Sequence, residues 1–181
     1  MPQFLVAPED VGHGAFALKG PEAFHVVKVM RLAIGAELEL FDGKGGRFLG
    51  VIGAIGADGS VTGKVSKTIV ADDARVPAKL DLYLGLLKAS HWDEALDQCV
   101  QLGVSAIVPM LTPRTVVLLH EVDRVKSKQE RWSRIVMAAA KQCGRADLPP
   151  VREAVQFRDA IRALKDRGLV QIGRASCRER V

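Results

Sequence analysis

The fold is decided by residues 80–114, LDLYLGLLKASHWDEALDQCVQLGVSAIVPMLTPR, whose pattern predicts a strand, a helix and a second strand. Leucines at every second position of residues 80–86 are typical of a strand buried on both faces of a parallel sheet. Ser90 is the expected N-cap of the helix and Gly103 its expected stop, and one apolar stripe lies between them: Trp92, Ala95, Leu96, Cys99 and Leu102. Residues 104–109 are the second apolar run, so the stretch predicts a right-handed βαβ unit.

Chemistry is expected where the two strands end, because ligands in open α/β sheets sit beyond the carboxyl ends of the strands. Residues 88–90 follow the first strand and residues 111–114 follow the second. Lys88 and Arg114 are the cationic side chains at these ends. Each also has a simpler interpretation, Lys88 as a solvated strand end and Arg114 as half of a surface ion pair.

Composition indicates an ordinary globular chain with an aliphatic core, because apolar residues make up 48% of the 181 residues and aromatic residues only 5%. No run approaches the ~20 apolar residues of a membrane span, and the N-terminus lacks the regions of a signal peptide. Cys99, Cys143 and Cys177 are far apart, which indicates reduced thiols in a cytoplasmic protein. No His/Cys cluster has the spacing of a metal site, so we expect none.

The formal charge of +5 hints at an anionic partner. The last ten residues, 172–181, have no apolar period and resemble the translation of a DNA-sequencing adapter, so we set them aside as foreign to the fold. They contain three Arg and one Glu, and without them the charge falls from +5 to +3. The remaining basic signal is mild and by itself indicates solubility more than nucleic-acid binding.

Residues 1–72 predict a small β-barrel, because short strand-like runs alternate with glycine turns. Residues 37–41 and 47–52 flank the turn-forming Asp42-Gly43, and residues 61–70 alternate again. Pro21 is expected to open a helix whose apolar side is made of Phe24, Val27 and Met30.

Residues 73–171 are assigned to the α/β part. After Arg114 the pattern predicts a long helix from about Val125 to Cys143 and a second amphipathic helix that includes residues 157–164. Residues 169–171 are the expected start of a further parallel strand.

Four stretches, in order, resemble one family. Residues 24–32 (FHVVKVMRL) and 40–45 (LFDGKG) look like its N-terminal signature. Lys88 with residues 101–104 (QLGV), 107–109 (IVP) and 112–115 (TPRT) resembles its central pattern. Residues 131–145 (RWSRIVMAAAKQCGR) and 148–151 (LPPV) are similar to its long helix and the segment after it. The family is that of the ribosomal RNA small subunit methyltransferases E (RsmE), and the resemblance covers nearly all of residues 1–171.

This resemblance implies an α/β enzyme with a PUA-like barrel at residues 1–72 and an incomplete α/β knot of the SPOUT class at residues 73–171. The implied reaction is methylation of N3 of one uridine in 16S rRNA of the small ribosomal subunit, with S-adenosylmethionine as methyl donor and a homodimer as the assembly. The family's cofactor loops would follow Gln171, so we expect this chain to lack a complete cofactor site and to be inactive by itself. Gln3, Gln101 and Pro113 stand where the family usually has Arg, Glu and an acidic residue.

Arg114 is the candidate catalytic residue, placed to hold a phosphate or carbonyl bidentately. His25, Lys28 and Arg31 recur at three-residue spacing and form a candidate phosphate-binding edge on one helix face. Further RNA contacts are expected from Lys44, Arg47, Lys88, Gln142 and Arg145. Plainer interpretations stay open. In one, the helix face is only solvated, with His25 packed against its neighbours. In another, Gln142 and Arg145 are C-terminal caps of the long helix.

Two other functions fit the same residues. One is a non-catalytic RNA-binding protein in which the PUA-like module binds and the βαβ part is scaffold. The other is a SPOUT methyltransferase that modifies the ribose 2′-hydroxyl. A glycine-rich loop after residue 171 is required by either methyltransferase and not by a binding protein.

Sequencing of the source locus across codon 171 tests these alternatives. We expect the reading frame to continue into a Gly-Pro-Glu-Gly-Gly-like loop and a further glycine-leucine segment, because residues 172–181 break the preceding pattern. A locus that encodes Ile172 to Val181 followed by a stop codon would contradict the adapter interpretation and favour RNA binding without methylation.

Overall fold

The structure, a computed structural model, describes residues 3–69, 79–113, 115 and 122–165, and all of their side chains except those of residues 89 and 122–126. Arg114 and the strand expected at residues 169–171 lie outside the described residues. Within the described part of the chain, no helix is both long and apolar enough to cross a membrane.

The amino-terminal module, residues 3–69, is built on one six-stranded sheet. Its strands are β1 (Gln3–Leu5), β2 (Val11–Gly12), β3 (Ala15–Leu18), β4 (Glu37–Phe41), β5 (Arg47–Ile55) and β6 (Val61–Ile69). Their order across the sheet is β1-β4-β5-β6-β3-β2, with β1 parallel to β4 and the remaining neighbours antiparallel. A 3₁₀ turn (Pro8–Asp10) precedes β2, and α1 (Gly20–Phe24) and a π-helical turn (His25–Val29) follow β3.

Alternation along the strands builds the core of this module. Leu38 and Leu40 of β4 are buried, while Glu37 and Glu39, which alternate with them along the strand, point away from the core. Phe4 of β1 and Phe16 of β3 belong to one core cluster, although their strands lie near opposite ends of the sheet. The sheet therefore curves around a single apolar interior, as the barrel prediction requires.

The helix after β3 departs from the prediction. Pro21 does stand at its first turn, but Phe24 is 60% exposed and Met30 is 38% exposed. The buried residues are Ala23 and Val26 instead. The expected apolar side is therefore wrong for Phe24 and Met30, because the side that faces the core carries Ala23, Val26 and the partly buried Val27, and is rotated away from the expected stripe.

The carboxy-terminal module, residues 79–165, contains the predicted βαβ unit. Its elements are β7 (Asp81–Gly85), α2 (Ala89–Gln101), β8 (Ala106–Leu111), α3 (Val122–Cys143), β9 (Val155–Gln156) and α4 (Phe157–Leu164). The sheet runs β7-β8-β9 and is parallel throughout. The long helix predicted from about Val125 begins at Val122 and ends at Cys143, as expected.

Two details of α2 correct the prediction. Its N-cap is Lys88, and Ser90 lies inside the first turn, so the N-cap prediction for Ser90 is wrong. Leu102 is 87% exposed and does not belong to the buried stripe. Gly103 does end the helix, with φ of 90°, a conformation that glycine adopts without a steric penalty.

The two modules are joined through the hairpin loop of residues 42–46. The backbone N–H of Gly45 donates to the Ala146 carbonyl at 3.2 Å, and that of Leu148 donates to the Gly43 carbonyl at 2.9 Å. Gly43 has φ of 72°, and a Cβ placed there would lie 3.2 Å from Cδ1 of Leu148. A side chain at position 43 would therefore require the Leu148 side chain to give by a few tenths of an ångström.

An ion pair crosses the same junction. Lys141 Nζ of α3 donates to Oε1 of Glu22 in α1, and the other oxygen of Glu22 accepts the backbone N–H of Leu5 at 3.2 Å. Both charged side chains are largely shielded from solvent. One carboxylate thus holds together the first strand, the first helix and the long helix.

Stability of the carboxy-terminal module should depend on Trp92. Its ring is buried and lies 5.4 Å from the ring of Trp132, and its Nε1 has no hydrogen-bond partner among the described residues. We expect Trp92→Ala to lower the free energy of unfolding by about 3–5 kcal/mol, because a cavity replaces an indole. Trp92→Phe should cost much less, because the phenyl ring refills most of the cavity and, in the part of the chain that the structure describes, the indole N–H makes no hydrogen bond that could be lost.

Urea unfolding followed by circular dichroism measures both effects. Leu102→Ala is the matched control on the same helix, and since Leu102 is exposed it should change stability by no more than about 0.5 kcal/mol. Equal losses for Trp92→Ala and Leu102→Ala would contradict this account of the core.

Candidate functional site

The carboxyl ends of β7 and β8 lie side by side, because the strands are parallel neighbours. The backbone N–H of Leu86 still donates to the Met110 carbonyl at 2.9 Å, just past the end of β7. After β8 the chain turns tightly, with the Thr115 hydroxyl accepting the backbone N–H of Thr112 at 2.8 Å. This turn brackets Arg114, the candidate catalytic residue, whose own position lies outside the described residues.

Lys88 lies at the same edge of the sheet. It is exposed and serves as the N-cap of α2 through its backbone, without a side-chain capping bond. Its ammonium group is therefore available to solvent at the end of β7, where the sequence placed it.

A cavity of about 190 Å³ opens beside these strand ends. Its walls are mostly apolar and include the two tryptophans, with the Arg131–Asp93 ion pair among its lining residues: Leu86, Leu87, Trp92, Asp93, Lys128, Arg131 and Trp132. Pockets for drug-sized ligands and cofactors hold roughly 300–1,000 Å³. The described residues at this edge therefore do not by themselves fit S-adenosylmethionine, the cofactor that the resemblance implies.

The end of α3 presents two of the expected RNA-binding residues very differently. Gln142 is exposed, whereas the Arg145 side chain is only 13% exposed. Nε and Nη2 of Arg145 donate to the two carboxylate oxygens of Asp147 at 2.8 and 2.7 Å, and Nη1 donates to the Val100 carbonyl at 3.1 Å. These hydrogen bonds from Arg145 lower the pKa of the Asp147 carboxyl. Arg145 thus ties the end of α3 to α2.

Lys44 and Arg47, at the hairpin loop, also differ in how far their side chains are exposed to solvent. The Lys44 side chain is exposed, while its backbone N–H donates to Oδ1 of Asp42 at 2.8 Å and shapes the loop. Arg47 is half-buried and pairs with Glu39 at 2.7 Å. Glu39 also accepts from Gln3 Nε2 at 2.9 Å, so Gln3, which stands where the family usually has Arg, contributes a second donor to one carboxylate.

The three residues expected on one helix face are not equivalent. The ring of His25 is half-buried and packs edge-on against Phe4, with ring centroids 5.5 Å apart. Lys28 and Arg31 are exposed, and Arg31 adopts a left-handed backbone conformation with φ of 53°. The plainer interpretation of His25, as a packed residue, agrees with this geometry, while Lys28 and Arg31 present their charges to solvent.

Sequence reasoning missed several residues of this surface. Phe24, which was expected on the apolar side of a helix, lines a solvent-facing cavity beside Lys28. Glu22, Lys141 and Asp147 received no role, although each makes an ion pair that positions an element near the junction. No local pattern signals the Glu22–Lys141 pair, because its members are 119 residues apart in the chain. Arg145 and Asp147 are only two residues apart, and this pair could have been suspected from their opposite charges. Among the described residues, no group of three or more His, Cys, Asp or Glu side chains is placed to hold a metal ion.

Two family models match the chain. An RNA methyltransferase domain matches residues 74–178, well over half of the chain, and an RNA methyltransferase PUA domain matches residues 18–66. The first range includes residues 172–178, which were expected to be foreign to the fold.

Curated relatives carry one name. The ribosomal RNA small subunit methyltransferase E of Synechocystis sp. is 32% identical over 155 residues, which is 86% of this chain and 48% of the relative. That of Bacillus subtilis is 27% identical over 154 residues, which is 83% of this chain and 58% of the relative. The chain thus spans about half the length of the curated relatives it matches.

Solved structures show the same arrangement of both modules. A ribosomal RNA small subunit methyltransferase E from Neisseria gonorrhoeae, bound to S-adenosyl methionine, is 28% identical with a TM-score of 0.77, covering 89% of this chain and 65% of that one. A Legionella pneumophila structure, 24% identical with a TM-score of 0.78, shows the same fold. The chain therefore belongs to the RNA methyltransferase family, and it is similar to ribosomal RNA small subunit methyltransferases E.

Proposed function

We propose that this protein methylates N3 of a uridine in 16S rRNA of the small ribosomal subunit, with S-adenosylmethionine as methyl donor. Residues 1–72 would hold the RNA and residues 73–171 would carry the catalytic module. Family membership supports an RNA substrate, and the Neisseria gonorrhoeae relative, which is bound to S-adenosyl methionine, supports the cofactor.

One observation favours this proposal over a non-catalytic RNA-binding protein. The amino-terminal sheet and the βαβ module match a single methyltransferase structure together, over 89% of this chain. A binding protein that needed only the PUA-like module would not require the second module to keep its parallel strand ends adjacent. This favours a catalytic role for the β7–β8 edge over the scaffold interpretation.

The reaction sets clear demands on the protein. Uridine N3 would have to lose its proton to accept the methyl group that bound S-adenosylmethionine would supply as an electrophile. The protein has to orient the base and stabilise the developing negative charge. We assign Arg114 to hold a phosphate or base carbonyl at the end of β8, with Lys88 and Gln142 as further polar contacts to the RNA.

The remaining expected RNA contacts fall into two groups. Lys28, Arg31 and Lys44 are exposed cations on the amino-terminal module and are proposed to meet phosphates directly. His25, Arg47 and Arg145 pack or pair inside the protein, and they are proposed to act by shaping the RNA-facing surface.

Assembly and location are part of the same proposal. We propose a homodimer acting in the cytoplasm, where small ribosomal subunits are found. The resemblance to the family supports the dimer, and the ribosomal substrate supports the compartment.

Methyl transfer tests the function directly. Protein made from the complete reading frame of the source locus, and the 181-residue chain in parallel, would be incubated with methyl-labelled S-adenosylmethionine and unmodified 16S rRNA. We expect the complete protein, and not the 181-residue chain, to form 3-methyluridine, detected by mass spectrometry after nuclease digestion. Arg114→Ala in the complete protein should lower the rate by about 10²-fold if its charge stabilises the transition state.

The nucleoside formed distinguishes the alternatives. A 2′-O-methylated nucleoside would contradict the N3 assignment and favour the ribose methyltransferase. Tight RNA binding by the complete protein without any methylated product would favour the non-catalytic RNA-binding protein.

Arg145 and Lys44 should separate structural from RNA-binding roles. Arg145→Ala removes internal hydrogen bonds and should destabilise the fold by about 1–2 kcal/mol, discounted because Asp147 is half exposed. Its effect on RNA affinity, measured on folded protein, should be small. Lys44→Ala should leave stability within about 0.5 kcal/mol, and should weaken RNA binding and its salt dependence.

Urea unfolding and fluorescence anisotropy with labelled RNA measure the two effects. The reverse pattern, in which Arg145→Ala weakens RNA binding without loss of stability, would show that the Arg145 guanidinium leaves Asp147 to contact RNA.

A further inference from the structure

A second cavity lies on the amino-terminal module, away from the strand ends of the βαβ unit. Its volume is about 320 Å³, and it is bounded by the start of the helical segment and by the turn between β5 and β6: Gly20, Pro21, Phe24, Val27, Lys28, Asp58 and Gly59. We call it the Phe24 cavity. Roughly 300 Å³ is the lower end of the range for small-molecule pockets, so it has room for a group of nucleotide size.

The aromatic wall of this cavity is unusual within the protein. Phe4, Phe16 and Phe41 are buried in the module, whereas Phe24 is 60% exposed. A single exposed apolar side chain is ordinary on a protein surface. A phenyl ring that lines a concave site offers a flat π-face to a ligand, and nucleobases stack on such faces in single-stranded RNA complexes.

The charges around the ring are arranged asymmetrically. Lys28 is exposed and, among the described residues, has no ion-pair partner. Across the cavity, Oδ1 of Asp58 accepts the backbone N–H of Ser60 at 3.0 Å and its hydroxyl at 2.7 Å. These hydrogen bonds lower the pKa of the Asp58 carboxyl and keep it negative. A phosphate is therefore favoured at the Lys28 side and disfavoured at the Asp58 side.

The backbone beneath the cavity is irregular, and this observation is independent of the side chains. The Met30 N–H donates to the His25 carbonyl at 2.9 Å, five residues back, so the segment winds as a π-helix. Arg31 then adopts a left-handed φ of 53°, which is costly for a residue with a side chain. Irregularities of both kinds are concentrated at functional sites, where the surrounding structure maintains them.

We infer that the Phe24 cavity is a subsite for one unpaired nucleotide of the RNA, with its base stacked on the Phe24 ring and its phosphate neutralised by Lys28. The inference rests on the proposed function only in taking RNA as the ligand. It adds a stacking residue to a surface for which only electrostatic contacts were expected. The base lies toward Asp58, whose carboxylate lines the cavity and can accept from a base N–H.

Fluorescence anisotropy with labelled single-stranded oligoadenylate and oligouridylate tests the subsite. Phe24→Ala should weaken binding of both by about tenfold, since stacking of one base is worth that much, while the salt dependence stays unchanged. Phe24→Trp should retain affinity, and Phe24→Leu, apolar without a π-face, should behave like Phe24→Ala. Lys28→Ala should instead lower the slope of log affinity against log salt by about 0.7, the value for one phosphate on a single strand.

Matched controls separate these effects from general losses. Phe157→Ala removes another half-exposed phenyl ring, and Lys67→Ala removes another exposed cation; both should bind the oligonucleotides nearly as the wild type does. Duplex RNA, whose bases are already stacked on each other, should bind Phe24→Ala and the wild type equally. Thermal melting of each variant confirms that it is folded before binding is measured.

The inference is overturned if Phe24→Ala or Phe24→Leu binds single strands like the wild type, or if the wild type does not bind them. Its failure is distinguishable from failure of the proposed function. If the complete protein transfers methyl groups to 16S rRNA but binds single strands independently of Phe24, the proposed function stands and the subsite is refuted. If binding depends on Phe24 but the complete protein transfers no methyl group, the subsite stands and the proposed function is refuted.

Discussion

Backbone hydrogen bonds between the hairpin loop of residues 42–46 and residues 146–148 set the geometry on which the rest of the molecule depends. They join the module of the curved sheet to the βαβ module, and the Glu22–Lys141 ion pair connects α1 and α3 across the same junction. Backbone pairing specifies position more strictly than side-chain packing does, because each donor has one carbonyl to reach. An RNA that touches both modules would therefore meet a surface of defined shape.

Many of the elements follow from local physics and were predictable. The β4–β5 hairpin is encoded by alternating residues on either side of Asp42-Gly43, and the βαβ unit by a leucine-rich strand, an amphipathic helix and Gly103. Helix α3 was expected because its apolar stripe spans several turns. In each case the signal lies within a few residues, where the periodicity of burial is imposed directly by backbone geometry.

The candidate site was less predictable, because which side chains pair and which stay in solvent is set by the fold and not by a local pattern. Arg145 reads as a basic residue near the end of a helix, and only the fold reveals that Asp147 and the Val100 carbonyl occupy its donors. The spacing of His25, Lys28 and Arg31 suggested one face because an α-helix was assumed. The π-helical turn at residues 25–29 departs from that spacing, and His25 packs against Phe4 while Phe24 lies in solvent.

Position 43 carries a consequence for how such a two-module protein can change over time. The backbone there is left-handed, and a side chain would press against Leu148 of the other module. Any residue other than glycine at position 43 would combine a strained backbone with a contact to which Leu148 must yield by a few tenths of an ångström. Substitution there is therefore disfavoured on two grounds, and we expect glycine to be retained at this position wherever the loop keeps its hydrogen bonds to residues 146–148.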